Sequence, residues 1–104
     1  MQTINLSQEF ATMVRAHTVE CIWSFRVRDG KVTQTQKVSA LETNSSAIGY
    51  LISEVDGVLH NHLDDTVFSE KDKEFMLPGL IYIVITPTQV VALYNSEDIT
   101  CNLY

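Results

Sequence analysis

The chain is poor in the residue types that mark several specialised classes of protein. Of its 104 residues only two are cysteine, Cys21 and Cys101, and they lie far apart without C-x-x-C spacing. Neither a disulfide scaffold nor a zinc knuckle is therefore expected, and a reduced, cytoplasmic setting is the default. There is no apolar run of 18 residues and no basic leader followed by an apolar stretch. These absences predict neither a membrane span nor a secretory signal.

Positive charge is also scarce. Seven Lys and Arg residues stand against thirteen Asp and Glu, which gives a net charge of -6. Nucleic-acid binding depends largely on cations that neutralise phosphates, so no nucleic-acid partner is expected. Hydrophobic residues make up 45% of the chain and charged residues 19%, a globular composition. This length supports one core, and residues 1–104 are predicted to form a single domain.

Hydrophobic spacing predicts a helix and a hairpin in the first part of the chain. In the segment 7–17, Phe10, Met13, Val14 and His17 follow the i, i+3, i+4 and i+7 spacing of an amphipathic helix, and Ser7 is a suitable N-cap. The segment 20–38 contains two strand-like runs around Asp29-Gly30, a pair that tolerates the positive φ of a tight turn. A helix followed by a β-hairpin is therefore expected.

The rest of the chain alternates apolar runs with turn residues. The predicted elements are a helix over 44–57 stopped by Gly57, a strand at 58–62, a helix over 69–77 ended by Pro78-Gly79, two strands around Pro87-Thr88, and an edge strand at 98–104. This order predicts an α/β (α+β) fold with a central mixed β-sheet flanked by helices. Exposed edges at 89–95 or in the tail would favour a homodimer.

Two histidines one residue apart suggest a metal site. Residues i and i+2 of a strand point to the same side, so His60 and His62 would present both imidazoles to one spot. A catalytic zinc ion usually takes three protein ligands, and Asp72 can complete such a set if the loop 63–68 folds back. Ser69 and Asp72 also have the spacing of a capping box, an interpretation that stays open beside the first.

The combination H-x-H, six residues, then S-x-x-D resembles the JAMM motif of MPN-domain metalloproteases. The usual motif has a Glu upstream, seven residues in the interval, and a Pro after the second His where this chain has Leu63. The order of predicted elements is similar to that of the family along the whole chain. The resemblance implies an MPN/JAB-like fold with a cytidine-deaminase-like layout.

Carried over residue by residue, the resemblance assigns His60, His62 and Asp72 as zinc ligands. Ser69 matches the residue that stabilises the oxyanion, and Glu20, which follows the first helix directly, matches the general base. The resemblance implies a Zn²⁺-dependent metallopeptidase or isopeptidase that hydrolyses an amide bond of a protein or peptide. Small members of this kind have proposed substrates that include ubiquitin-like and sulfur-carrier proteins.

Other interpretations of the same residues remain open. The chain is alternatively an MPN-fold interaction module without activity, an HNH nuclease, which the net charge disfavours, or a small structural domain whose histidines lie in the core. Asp64 or Asp65 is either a hydrogen-bond acceptor for a ligand imidazole or part of a solvated turn. His17, at the end of the first helix, is expected to pack or to compensate the helix dipole rather than to bind metal.

Overall fold

The part of the chain that the computed structural model describes, residues 3–40, 55–74 and 76–104, contains one mixed sheet and two helices. The strands are β1 (Thr3–Leu6), β2 (Cys21–Arg28), β3 (Lys31–Ala40), β4 (Gly57–Asn61), β5 (Ile81–Ile85), β6 (Val90–Tyr94) and β7 (Glu97–Leu103), and the helices are α1 (Gln8–Arg15) and α2 (Glu70–Glu74). No helix in these ranges is both long and apolar enough to cross a membrane.

The predicted hairpin is confirmed. Strands β2 and β3 pair antiparallel around Asp29-Gly30. Asp29 has φ 53° and Gly30 has φ 75°, as both central residues of a type I′ turn require. Trp23 and Phe25 point from β2 into the core, where they are 3% and 0% exposed.

The sheet closes on itself in the order β1-β3-β2-β4-β5-β6-β7, because β7 returns to pair with β1. Strands β4 and β5 are parallel neighbours, whereas β6 runs antiparallel to both β5 and β7. Strand β7 pairs in parallel with β1 from Thr3 beside Thr100 to Leu6 beside Leu103. The expectation of exposed edges in 89–95 and in the tail is therefore wrong, since β6 and β7 each have a strand on both sides.

Helix α1 begins where the sequence predicted. Ser7 is its N-cap, and the Ser7 hydroxyl accepts a hydrogen bond from the backbone N–H of Phe10 at 3.2 Å. Ala11 and Val14 lie one turn apart on the inner face and are completely buried in the core formed by the strands. Val14 of the predicted apolar face is therefore buried, whereas Met13 of that face is 40% exposed and Ala11, outside it, is buried instead.

Three other elements differ from the sequence prediction. Strand β1 was not predicted, although Ile4 and Leu6 alternate with more exposed neighbours as a half-buried strand requires. Helix α2 is shorter than the predicted 69–77. Most of the predicted helix over 44–57 lies outside the described residues.

Gly57, predicted as a helix stop, is instead the first residue of β4. A Cβ atom at this position would lie 2.4 Å from the backbone oxygen of Ile81 and 2.4 Å from the ring of Phe25. The absence of a side chain therefore allows β4 to approach β5 and the core closely.

Candidate functional site

His60 and His62 meet at the carboxyl end of β4, as the strand alternation predicted. Their Nε2 atoms are 3.0 Å apart, and their ring centroids are 4.7 Å apart. The backbone N–H of His62 donates to Ile85 O at 2.9 Å, which continues the alignment with β5 by one residue beyond the strand. The pleat therefore holds both imidazoles on one side of the sheet.

The loop after β4 orients His62. Its Nδ1 lies 2.6 Å from the backbone oxygen of Thr66. A carbonyl only accepts, so Nδ1 carries the hydrogen in this contact, and Nε2 is directed toward His60. Carbonyl oxygens commonly orient metal-binding histidines in this way. The sequence could not identify Thr66 in this role, because every residue type has a backbone oxygen.

Neither aspartate of this loop accepts a hydrogen bond from an imidazole. Asp64 instead accepts from the N–H and hydroxyl of Thr66. Asp65 accepts from the hydroxyls of Thr86 at 3.0 Å and Thr88 at 2.7 Å, which joins the loop to the turn after β5. These bonds lower the pKa of each carboxyl. Of the two interpretations left open for Asp64 and Asp65, these bonds support the turn, which both residues serve to fix.

His60 is partly buried beside His62 and Phe68. Burial, followed by the proximity of His62, lowers the pKa of His60 from 6.5 to about 4, although Asp72 acts in the opposite direction. Its ring packs edge-on against Phe68 at 5.7 Å between centroids. His60 is therefore neutral near pH 7, the form in which an imidazole nitrogen binds metal.

Ser69 and Asp72 form the predicted capping box at the start of α2. The Ser69 N–H donates to Asp72 Oδ2 at 2.9 Å, and the Asp72 N–H donates to the Ser69 hydroxyl at 3.1 Å. The bond from the Ser69 backbone is the largest cause of a lowered Asp72 pKa, and His60 and His62 contribute to it electrostatically. Asp72 therefore lies near both imidazoles while one of its oxygens is used in the cap.

Glu20 lies immediately before β2. The antiparallel register pairs Ile22 with His60, and its continuation by two residues places Glu20 opposite His62. The side chain is exposed. The backbone thus brings the predicted base to the end of the sheet that carries the histidines, and its catalytic role stays a prediction.

Asn61 is a supporting residue that the sequence interpretation did not identify. Its side chain is 2% exposed and points to the face opposite the histidines. It accepts from the N–H of Cys21 at 2.7 Å and donates to the oxygen of Val19 at 3.1 Å. These two bonds hold the backbone on both sides of Glu20. The signal in the sequence was the Asn between the two histidines of one strand, because a buried Asn needs hydrogen-bond partners.

The donor set of this region matches zinc chemically, but the three predicted ligands are not all in place. Two imidazoles converge on one point, and zinc accepts two histidines with one carboxylate. Within residues 3–40, 55–74 and 76–104, no three His, Cys, Asp or Glu side chains are arranged to hold a metal ion. The two histidines fit the metal, and Asp72 stays a predicted third ligand.

A cavity of about 390 Å³ opens beside His62. Its wall includes Arg15 and His17 from the end of α1, Leu63 from the loop, and Pro87 from the turn after β5. His17 lies with its Nδ1 3.1 Å from Met13 O and packs edge-on against Trp23 at 5.1 Å between ring centroids, which agrees with its predicted packing role. Ile85 and Asn61, which points to the face opposite the histidines, also line this cavity.

Comparison by sequence gives no relative: no protein-family model matches, and no curated protein matches. Solved structures do match. One is a structure of JAMM, a metalloprotease-like zinc site in the proteasome and signalosome. It has a TM-score of 0.61 at 12% identity over 98% of each chain. A JAB1/MPN domain protein from Archaeoglobus fulgidus has a TM-score of 0.62 at 14% identity, again over 98% of each chain.

A third structure, from Salinibacter ruber, has a TM-score of 0.56 at 17% identity and covers 91% of this chain and 86% of its own. At such identities the likeness establishes the fold. The chain has the JAB1/MPN fold, and the predicted α+β class with a mixed sheet is confirmed.

Proposed function

We propose that this chain, which has the JAB1/MPN fold, is a zinc-dependent amide hydrolase of the JAMM type. The observation that carries the proposal is the convergence of His60 Nε2 and His62 Nε2 at 3.0 Å, with His62 oriented by the Thr66 carbonyl. Fold alone does not establish function, but two convergent imidazoles at the position of the family motif supply a site.

His60, His62 and Asp72 would hold the metal. For Asp72 to join the imidazoles, its second oxygen must turn toward them while the first keeps the cap at Ser69. Zinc, when bound, supplies a water with a pKa near neutrality and polarises the substrate carbonyl. The short helix α2 buries none of its described side chains, so a small movement of this helix costs little packing energy.

Glu20 would take a proton from the attacking water and return it to the leaving nitrogen. The Ser69 hydroxyl would donate to the oxygen on which negative charge develops. The substrate class that we propose is a peptide or isopeptide bond, with the carboxyl-terminal tail of a ubiquitin-like or sulfur-carrier protein as the first candidate. We further place the protein in the cytoplasm, where the thiols of Cys21 and Cys101 stay reduced.

Zinc content tests the metal site. Purified protein should bind close to one zinc ion per chain, measured by plasma mass spectrometry after dialysis, and His60→Ala and His62→Ala should lose it. His17→Ala is the matched control, since it removes the third histidine of the chain and should leave zinc unchanged. A folded wild-type protein that binds no zinc would exclude the hydrolase.

Activity is tested separately with a carrier-protein fusion. Glu20→Gln should keep zinc and lose cleavage, because the base is removed and the ligands are retained. Glu9→Gln, in α1, is the matched control and should cleave as the wild type does. Cleavage by Glu20→Gln at the wild-type rate would remove Glu20 from the mechanism.

The second candidate function is an interaction module of the same fold. It is favoured because the Ser69 N–H holds Asp72 Oδ2 in a helix cap rather than at a metal. This candidate predicts a folded protein that lacks zinc and cleavage. A homodimer is a separate proposal, which sedimentation analysis can test.

A further inference from the structure

The chain that follows Asp72 is held from outside by the turn between β6 and β7. The Ser96 hydroxyl donates to the backbone oxygen of Lys73, the residue next to Asp72, at 3.3 Å. Asn95 Oδ1 accepts from the N–H of Gly79 at 2.9 Å. These partners lie 23 and 16 residues earlier in the chain. The far end of α2 is therefore connected to a part of the sheet that the proposed reaction does not use.

Strand β5 contributes a third bond to the same segment. The N–H of Leu77 donates to the Tyr82 hydroxyl at 2.9 Å. Leu77 itself is 46% exposed, and no described side chain of α2 is buried. Packing therefore contributes little to the position of this helix. Its far end depends mainly on three bonds from side chains of the sheet to the backbone that follows Asp72.

The near end of the same segment is anchored at the histidines. His62 Nδ1 contacts the backbone oxygen of Thr66 at 2.6 Å, and the ring of Phe68 packs edge-on against His60. Asp72 lies between these contacts and the bond at the Lys73 carbonyl. A segment that is attached at both ends allows its carboxylate only a small range of positions.

The conformation of the turn points to a role for its side chains. Asn95 has φ 51° and Ser96 has φ 64°, as the two central residues of a type I′ turn require. Asparagine is common at such angles, but serine is not, because its Cβ is crowded there. Glycine at position 96 would form the turn at lower conformational cost. The bond to the Lys73 carbonyl is what the serine side chain adds.

We propose that the β6–β7 turn anchors α2, and that Asn95 and Ser96 are positioning residues that set the distance of Asp72 from the two imidazoles. With the far end anchored, the carboxylate can turn toward the histidines while the helix stays attached to the sheet. Without the anchor, the helix samples more orientations, and a smaller fraction of them brings the carboxylate to a metal. The effect on zinc rests on the proposed hydrolase, whereas the anchoring of α2 does not.

Three variants test the anchor without disturbing the turn. The double variant Asn95→Gly, Ser96→Gly removes both side chains, and glycine adopts the positive φ readily. Asp29→Gly is the matched control, because Asp29 has φ 53° and its substitution also leaves two glycines at the centre of a type I′ turn. Asn95→Asp is the conservative variant, since a carboxylate oxygen still accepts from the Gly79 N–H.

Backbone dynamics of the metal-free protein test the anchor independently of zinc. In the double variant, the NMR order parameters of the Asp72 and Lys73 amides should fall from about 0.85 to about 0.6, the value of flexible backbone. They should stay at the wild-type value in Asp29→Gly and Asn95→Asp, and the His62 amide should not change in any variant. Unchanged order parameters in the double variant, or a helix α2 that is already flexible in the wild type, overturn the proposal.

Zinc affinity tests the effect of the anchor on Asp72. Competition with a chelator should show that the double variant binds zinc about tenfold more weakly than the wild type, as expected if a tenth of the helix orientations can bind. Asp29→Gly and Asn95→Asp should bind zinc as tightly as the wild type. This recovery in Asn95→Asp assigns the effect to the hydrogen bond rather than to a general change in the turn.

The two measurements separate this proposal from the proposed hydrolase. Wild-type zinc affinity in the double variant removes the positioning role and leaves the hydrolase standing. A wild-type protein that binds no zinc removes the hydrolase, and lowered order of α2 in the double variant then still supports the anchor.

Discussion

The two halves of the candidate site are supported in different ways. His60 and His62 belong to a strand with neighbours on both sides, and the loop that follows is joined to the turn after β5 through Asp65. Ser69 and Asp72 belong to a five-residue helix whose described side chains are all at least partly exposed and whose first turn is held by its own capping box. The histidine half is thus fixed by the core, and the helix half by local bonds.

The histidine half is therefore preorganised, whereas the helix half can adjust its position. The sheet determines where the two imidazoles meet, whatever else binds there. The position of Asp72 depends on a short surface helix, and in the described residues it does not complete a metal site. Substitutions in the histidine half should therefore lower the free energy of unfolding strongly, and substitutions in the helix half should lower it only slightly.

The largest loss of stability is expected from Gly57→Ala, three residues before His60. The added methyl group would meet the Ile81 backbone oxygen and the Phe25 ring at 2.4 Å, so β4 has to move from β5. The free energy of unfolding should fall by about 3 kcal/mol, as for other overpacked cores. Urea denaturation measures the change.

Gly79→Asn is the control for Gly57→Ala. No atom lies within 4 Å of a Cβ at Gly79, and asparagine tolerates its φ of 82° better than other residues do. This variant should lose no more than about 1 kcal/mol. Equal stability of Gly57→Ala and the wild type would contradict the close approach of β4 to β5.

Acid should weaken the metal-free protein through His60. Its pKa is about 4 in the folded chain, chiefly because of burial, against 6.5 for an ordinary histidine. Between these values the unfolded chain binds a proton that the folded chain does not, so unfolding becomes easier as pH falls. The contribution of His60 to the free energy of unfolding is complete above pH 6.5, and about 3 kcal/mol of it is lost by pH 4.

Denaturation curves at several pH values isolate this contribution. His60→Gln should remove it from the slope of stability against pH, whereas His17→Gln should leave the slope as it is in the wild type. Two variants with the same slope would show that His60 is not the responsible group.

Asn61→Ala should lower the free energy of unfolding by about 2 kcal/mol, because it leaves the Cys21 N–H buried without an acceptor. Hydrogen exchange at Cys21 should become faster. Asn102→Ala, an exposed position on β7, is the control and should change stability by less than about 0.5 kcal/mol. Unchanged exchange at Cys21 in Asn61→Ala would remove Asn61 from its supporting role.

The smallest effect is expected from Ser69→Ala in the helix half. The cap of α2 is lost, but no described side chain of this helix is buried, so the cost should stay near 0.5 kcal/mol. Ser7→Ala removes the cap of α1, which buries Ala11 and Val14, and should cost about 1 to 2 kcal/mol. Thermal denaturation orders the two variants, and the reverse order would contradict the comparison between the two halves.

The sequence was sufficient to predict the features that depend on residues close together in the chain. The turn at Asp29-Gly30, the cap at Ser7 and the shared side of His60 and His62 follow from local preferences and strand alternation. The fold class followed as well, because the order of elements and the H-x-H and S-x-x-D motif were both visible.

Long-range and backbone contacts were not predictable in the same way. The Thr66 carbonyl that orients His62 has no residue signature, and Asn61 finds its partners about forty residues earlier in the chain. Strand β1 was missed because four residues give a weak period, and its partner in β7 lies at the other end of the sequence.

The pairing of β1 with β7 also determines when this protein can finish folding. Contacts between the first and last strands have the greatest sequence separation available, and such contacts slow folding because a long loop must close first. During synthesis the edges of β1 and β6 stay open until β7 leaves the ribosome, although the histidine strand and its neighbours are already present. A nascent chain therefore contains the H-x-H strand before it has a closed sheet, and in that interval its open edges are exposed to association with other chains.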